Sequence, residues 1–88
     1  MKLIFSDGGW EDYLHWQVVD PKTLGRLNEL MEECRRHPHR GRGKPEPLKG
    51  DLKGWWSRRV TDKDRLVYRV EGKGPDQALL IAQCRFHY

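Results

Sequence analysis

Two apolar rhythms divide this chain. Between residues 10 and 34 the apolar positions recur every three or four residues, the spacing of one helix face. After residue 55 they fall instead into short runs rich in β-branched and aromatic side chains. Lys2 to Phe5 predict a short opening strand. Ser6 or Asp7 then caps a first helix with the stripe Trp10, Tyr13, Leu14 and Val18, although Gly8 and Gly9 weaken its start. The second helix is better marked. Asp20 is placed as N-cap, Pro21 fits the first turn, and Leu24, Leu27, Met31 and Cys34 repeat until the helix stops near Arg36, before Pro38. Both stripes are expected to be core faces.

The stretch from His37 to Gly54, HPHRGRGKPEPLKGDLKG, collects glycine, proline and basic residues and reads as a long irregular loop. Long ordered loops in compact domains tend to carry function. Strand-like runs follow at Trp55 to Val60, Arg65 to Val70 and Ala78 to Phe86, separated by the turn-forming TDKD and EGKGPD. The predicted order is β-α-α-loop-β-β-β. This is an α+β domain with two helices packed on one face of a mostly antiparallel twisted sheet.

Alternation along the strands groups the side chains. Gln83, Arg85 and His87 share one side of the last strand, opposite Cys84 and Phe86, and Ser57 shares a face with Arg59. Trp55 and Trp56 must face opposite sides, so one is expected in the core and the other at its rim, rather than as a base-stacking platform.

Composition narrows the class. With 88 residues and 36% apolar side chains, the chain has material for one domain and one modest core. Cys34 and Cys84 form no CxxC pair, which argues against a disulfide framework or structural zinc. His37 and His39 lack further ligands at suitable spacing, so no metal and no cofactor is expected. The apolar run Met1 to Phe5 is too short for a signal peptide, and no stretch approaches a membrane span. The expected location is the reducing cytoplasm.

The net charge of +4 hides an asymmetry. Residues 1 to 34 carry three basic and seven acidic side chains, residues 35 to 65 eleven and four, and residues 66 to 88 three and two. The middle third is a cationic patch, and such clustering attracts polyanions, nucleic acid first among them. A solvated basic face without a partner is the plainer alternative.

The run GRGKPEPLKGDLKGWWSRRVTDKDRLVYRV, the closing LLIAQCRFHY and the opening MKLIFSDGGWEDYLHWQ together resemble the YoeB (Txe) toxins of bacterial type II toxin-antitoxin systems, within the RelE superfamily. The resemblance spans essentially the whole chain, so residues 1 to 88 are expected to form a single RelE/YoeB-like toxin domain. It implies a microbial-ribonuclease-like fold and a metal-independent endoribonuclease that cuts mRNA in the ribosomal A site. It also implies a YefM/Axe-like antitoxin partner, with a homodimer or a toxin-antitoxin hetero-oligomer as the assembly. Two features depart from the family pattern: the glycines that open the first helix, and the longer turn VEGKGPDQA.

Residue by residue, the resemblance makes Glu46 of KPEPL the general base, Arg65 of RLVY the phosphate-stabilising cation, His87 the general acid and Tyr88 the aromatic that shapes the site. Lys49 and Arg59 match basic positions near the scissile phosphate, and Lys44 and Arg58 complete the expected RNA-binding set. These types suit the chemistry: attack by a 2′-OH needs a proton acceptor, a proton donor for the leaving 5′ oxygen, and cations around the phosphoryl oxygens. Each has a plainer reading. Glu46 could balance charge in a basic loop, His87 could be an ordinary surface histidine, Arg65 could be solvated, and Arg59 could hold RNA backbone without chemistry. On those readings the chain is a non-catalytic RNA-binding module that uses the basic face of residues 35 to 65. If the toxin reading holds, the chain end forms one wall of the site, and residues appended after Tyr88 should depress cleavage without unfolding the protein.

Overall fold

Two short polar side chains set the helices. In the computed structural model, which describes residues 1–88, the Ser6 hydroxyl accepts the Gly9 N–H at 3.0 Å and opens α1 (Asp7–Val19). Asp20 accepts the Thr23 N–H at 3.1 Å and opens α2 (Pro21–Arg36), where Pro21 occupies a first-turn position whose N–H would have no helical partner. The His37 N–H closes the last turn of α2 on the Glu33 carbonyl at 2.7 Å, just ahead of Pro38.

Five strands form one sheet: β1 (Lys2–Phe5), β2 (Glu46–Pro47), β3 (Trp56–Arg59), β4 (Arg65–Glu71) and β5 (Ala78–Gln83), in the order β1-β5-β4-β3-β2. β1 runs parallel to β5, and the other pairs are antiparallel. A parallel pair needs a long crossover, and here the rest of the chain supplies it. Both helices lie on one face, as the α+β expectation has it. Four side chains of α2, Leu27, Leu30, Met31 and Cys34, pack with Trp16, Val60, Leu66, Tyr68, Leu79, Ile81 and Cys84. Each fully buried leucine or isoleucine of this set stabilises the fold by roughly 1.5–3 kcal/mol.

The stripe expected on α1 is not its buried face. Trp10, Leu14 and Val18 are 46%, 40% and 85% exposed, whereas Trp16 is buried. The residues that meet β5 and the segment after it include Gly9, Asp12 and Trp16. The Trp16 indole N–H donates to the Cys84 carbonyl at 2.9 Å, and Asp12 accepts the Cys84 N–H at 3.0 Å. A Cβ on Gly9 would lie 2.6 Å from the Ile81 carbonyl oxygen. Glycine and aspartate do not register as core positions in an apolar pattern, so the true docking face was hidden from it.

The last strand is also shorter than predicted. β5 ends at Gln83, after a bulge in which Val67 pairs Gln83 while Tyr68 pairs Ile81. Beyond it Phe86 adopts a left-handed φ of +66°, so the expected alternation of Arg85 and His87 with Gln83 does not continue. The chain end instead folds back on the start of β4: Arg65 N–H donates to Phe86 O at 3.0 Å, and Phe86 N–H donates to an Asp64 carboxylate oxygen at 2.7 Å.

Candidate active site

The stretch from His37 to Gly54 is not wholly irregular. Glu46 and Pro47 add a two-residue edge strand to β3, in register with Ser57 and Trp56, and Leu48 N–H continues the pairing to the Trp55 carbonyl at 2.9 Å. Proline is tolerated there because an edge strand has an unpaired side. Residues directly opposite in an antiparallel pair share a face, so Glu46 stands beside Ser57. Trp56 and Tyr68 point to the helices, which puts Glu46, Ser57, Val67 and Gln83 in one row across the other face.

Two residues along β3 and β4, Arg59 and Arg65 are directly paired on that same face. Like charges opposite one another repel, and an anion between them would relieve the repulsion. Arg65 is only 9% exposed. Its Nη1 donates to the carbonyls of Thr61, Asp62 and Asp64 at 2.9, 3.3 and 3.0 Å, and all its side-chain hydrogen bonds run through that one nitrogen. The guanidinium is thereby fixed by the turn rather than solvated.

Tyr88 reaches the same row. Its hydroxyl lies 3.2 Å from the Ser57 hydroxyl. His87 is exposed beside it, the two rings 4.7 Å apart. His87 Nδ1 is 2.9 Å from the Tyr88 carbonyl oxygen, which can only accept. Nδ1 therefore carries a proton in this arrangement, and Nε2 is the nitrogen left for exchange with a ligand.

Asp64 was not singled out from the sequence, yet it anchors this corner. One carboxylate oxygen accepts from Thr61 Oγ1 at 2.6 Å and the other holds Phe86 N–H, so the turn before β4 positions the residues that lead into His87 and Tyr88. The only advance signal was the Thr-Asp-Lys-Asp composition of the turn, whose side chains bond local backbone.

Lys44, Lys49 and Arg59 are exposed. Lys44 has a left-handed φ of +51°, and the preceding Gly43 carbonyl accepts the Arg59 N–H at 2.7 Å, which ties the basic loop to β3.

Arg58 corrects the expected phosphate-binding set. It is 0% exposed and points to the helices, because Ser57 and Arg59 occupy the opposite face. Nη1 donates to Glu33 at 2.6 Å and to the Arg42 carbonyl at 3.1 Å, Nη2 to the His37 and Arg40 carbonyls, and Nε to the Tyr68 hydroxyl. Its charge organises the loop 37–42 and is withdrawn from the surface. The Arg42 N–H, with the Arg58 and Arg42 guanidinium groups, holds the Glu33 carboxyl down at about 2 against the opposing effect of burial. His37 contacts Arg40, and His39 stacks on Trp56 with centroids 4.3 Å apart.

A hollow of about 430 Å³ lies elsewhere, lined by Leu3, Phe5, Trp10, Tyr13 and Met31 with two polar neighbours. On the face with Glu46 and the two arginines, Glu46 and Arg59 are exposed while Ser57, Val67 and Arg65 are buried.

Two helices against a five-stranded mixed sheet make this an α+β protein of the microbial-ribonuclease-like fold. The sequence model of a family described as "YoeB-like toxin of bacterial type II toxin-antitoxin system" matches residues 5–88. The toxin YoeB of Escherichia coli K12 is 53% identical over the full length of both chains. The solved YoeB/ParE toxin from Agrobacterium tumefaciens superposes with a TM-score of 0.96 at 50% identity, all of both chains covered. The toxin in a heterotetrameric YoeB-YefM toxin-antitoxin complex from Staphylococcus aureus superposes at 0.87 and 39% identity, covering 100% of this chain and 98% of its own. The chain belongs to the YoeB-like toxin family of bacterial type II toxin-antitoxin systems.

Proposed function

We propose that residues 1 to 88 form one toxin domain that cleaves mRNA as a metal-independent endoribonuclease, acting in the ribosomal A site and stopping translation in the cytoplasm. Glu46 takes the proton of the 2′-OH, the 2′ oxygen attacks the adjacent phosphorus, and His87 protonates the leaving 5′ oxygen through Nε2. Arg65 and Arg59 stabilise the phosphoryl oxygens, Lys49 and Lys44 hold neighbouring phosphates, and Tyr88 braces the histidine against Ser57. The observation that carries this reading is the register that puts Glu46 in the Ser57 row, beside the Arg59–Arg65 pair, while the Tyr88 hydroxyl closes on the same serine. A YefM-like antitoxin partner is supported by the S. aureus complex, and the basic face suits an acidic, partly disordered segment that orders as it binds.

Mapping mRNA 5′ ends in a translation reaction tests this directly. Wild type is expected to produce cuts at defined positions within codons, and Glu46→Ala to abolish them while still folding. RNA binding without cuts, even on ribosomes, would replace the nuclease with a binding module.

A further inference from the structure

The sheet face that carries Glu46 holds another feature that these roles leave unused. Two residues along β3 and β4 from the Ser57–Val67 pair, Trp55 and Arg69 meet, with the Arg69 guanidinium carbon 4.5 Å from the centroid of the Trp55 ring. Successive rows of side chains on one strand face are about 6.5–7 Å apart, so this pair lies close to the candidate site. Arg69 Nη2 is paired with Glu71, and its Nε is buried with no partner. The side chain is nevertheless 37% exposed. Across the sheet the row continues through Leu80 to Ile4, both apolar. The site is thus a cation over an indole, its charge offset by Glu71 and its flank aliphatic.

That chemistry fits a nucleobase better than a phosphate. Bases stack on aromatic rings and on guanidinium planes, and a guanidinium already paired with a carboxylate has little net charge to offer a phosphodiester. We propose that Trp55 and Arg69 form a stacking platform for one base of an RNA strand, next to the nucleotide step that Glu46, Arg65 and His87 address. The placement of the strand rests on the nuclease reading above. Of the two tryptophans, one expected in the core and the other at its rim, Trp56 is the one packed against the helix-side core, and Trp55 stands on the opposite face.

The test uses the whole protein and a labelled RNA hexanucleotide, 2′-O-methylated throughout so that no 2′ oxygen can attack. An abasic residue is moved along the strand. At one position it should weaken wild-type binding by about 5- to 150-fold, the range for one stacked base. Arg69→Ala and Trp55→Ala should each weaken binding of the intact strand and remove most of that abasic effect, and Trp55→Phe should retain it. Arg69→Ala should leave the salt dependence of binding unchanged, whereas Lys49→Ala should lower the slope of log K against log salt by about 0.7, as loss of a phosphate contact does. Should Trp55→Ala fold poorly by circular dichroism, Arg69→Ala carries the comparison alone.

The proposal is overturned if wild type does not bind the strand, if no abasic position matters, or if Arg69→Ala changes the salt slope as Lys49→Ala does. Cleavage of unmodified mRNA by wild type is scored separately. Cuts without a sensitive abasic position remove the platform and leave the nuclease; a sensitive position without cuts removes the nuclease and leaves the platform.

Discussion

Glu46 and His87 are held by different devices, and single substitutions separate them. Glu46 is fixed through its backbone pairing with Ser57, so Glu46→Ala removes a carboxylate without disturbing the strand. His87 follows Phe86, whose N–H is tied to Asp64. On the proposed roles, loss of either Glu46 or His87 should lower mRNA cleavage by about 10² to 10⁴ with an unchanged melting curve. Asp64→Ala should also lower cleavage, by releasing the corner that leads to His87, while RNA binding by the lysines persists; unchanged cleavage would show that Asp64 does not position the histidine. The two thiols behave as core groups. Burial pushes Cys34 up to about 11 and Cys84 up to about 12, and Cys84 Sγ lies 3.6 Å from the Gly9 carbonyl oxygen. At pH 8 the native protein should resist alkylation at both, and mass spectrometry should find modification only after denaturation.

At the scale of elements, the start of α1 is the informative case. Gly8 and Gly9 both weaken a helix by propensity, but their surroundings differ. A Cβ on Gly8 would make only ordinary contact, 3.9 Å from the Ala82 carbonyl oxygen, so Gly8→Ala should stabilise the protein by about 0.5–1 kcal/mol in thermal unfolding. At Gly9 the same methyl would press on Ile81 O, and Gly9→Ala should lower the melting temperature. A stabilising Gly9→Ala would mean that α1 does not sit this close to β5. Helix α2, by contrast, was legible from end to end: cap, first-turn proline, apolar period and stop all point the same way, and each local cue agrees with its tertiary setting.

Across the whole molecule, the Glu33–Arg58 pair joins α2, the basic loop and β3. With its folded value held near 2, below the ordinary 4.5, the Glu33 carboxylate contributes stability that is fully present above about pH 4.5 and is lost as the pH falls toward 2. Glu33→Gln should flatten that part of the acid unfolding profile; an unaltered profile would show that the carboxylate is not held this way. Arg58→Met should be severe, by roughly 3–5 kcal/mol, because it leaves the carbonyls of His37, Arg40 and Arg42 without this donor and the Glu33 carboxylate with Arg42 alone. A substitution at Arg58 would therefore abolish activity through unfolding, and urea melts distinguish that from a loss of RNA contacts.

The sequence alone determined the order of the main elements, the cap of the second helix and the antiparallel strand pairs near the end of the chain, because each follows from local periodicity or turn chemistry. Between Ser6 and Asp7 it left the first cap open, and the residues proposed for RNA cleavage came from the family resemblance rather than from any local pattern. Strand alternation even implied that Arg58 and Arg59 part company, although charge grouped them together. Only the tertiary structure decided which face of α1 docks, since a glycine and an aspartate join Trp16 in that contact. It also decided that the proline-rich loop adds an edge strand, that the chain turns back at Phe86, and that Trp55 meets Arg69. Those outcomes depend on register and on contacts between residues far apart in the chain, which no local pattern encodes.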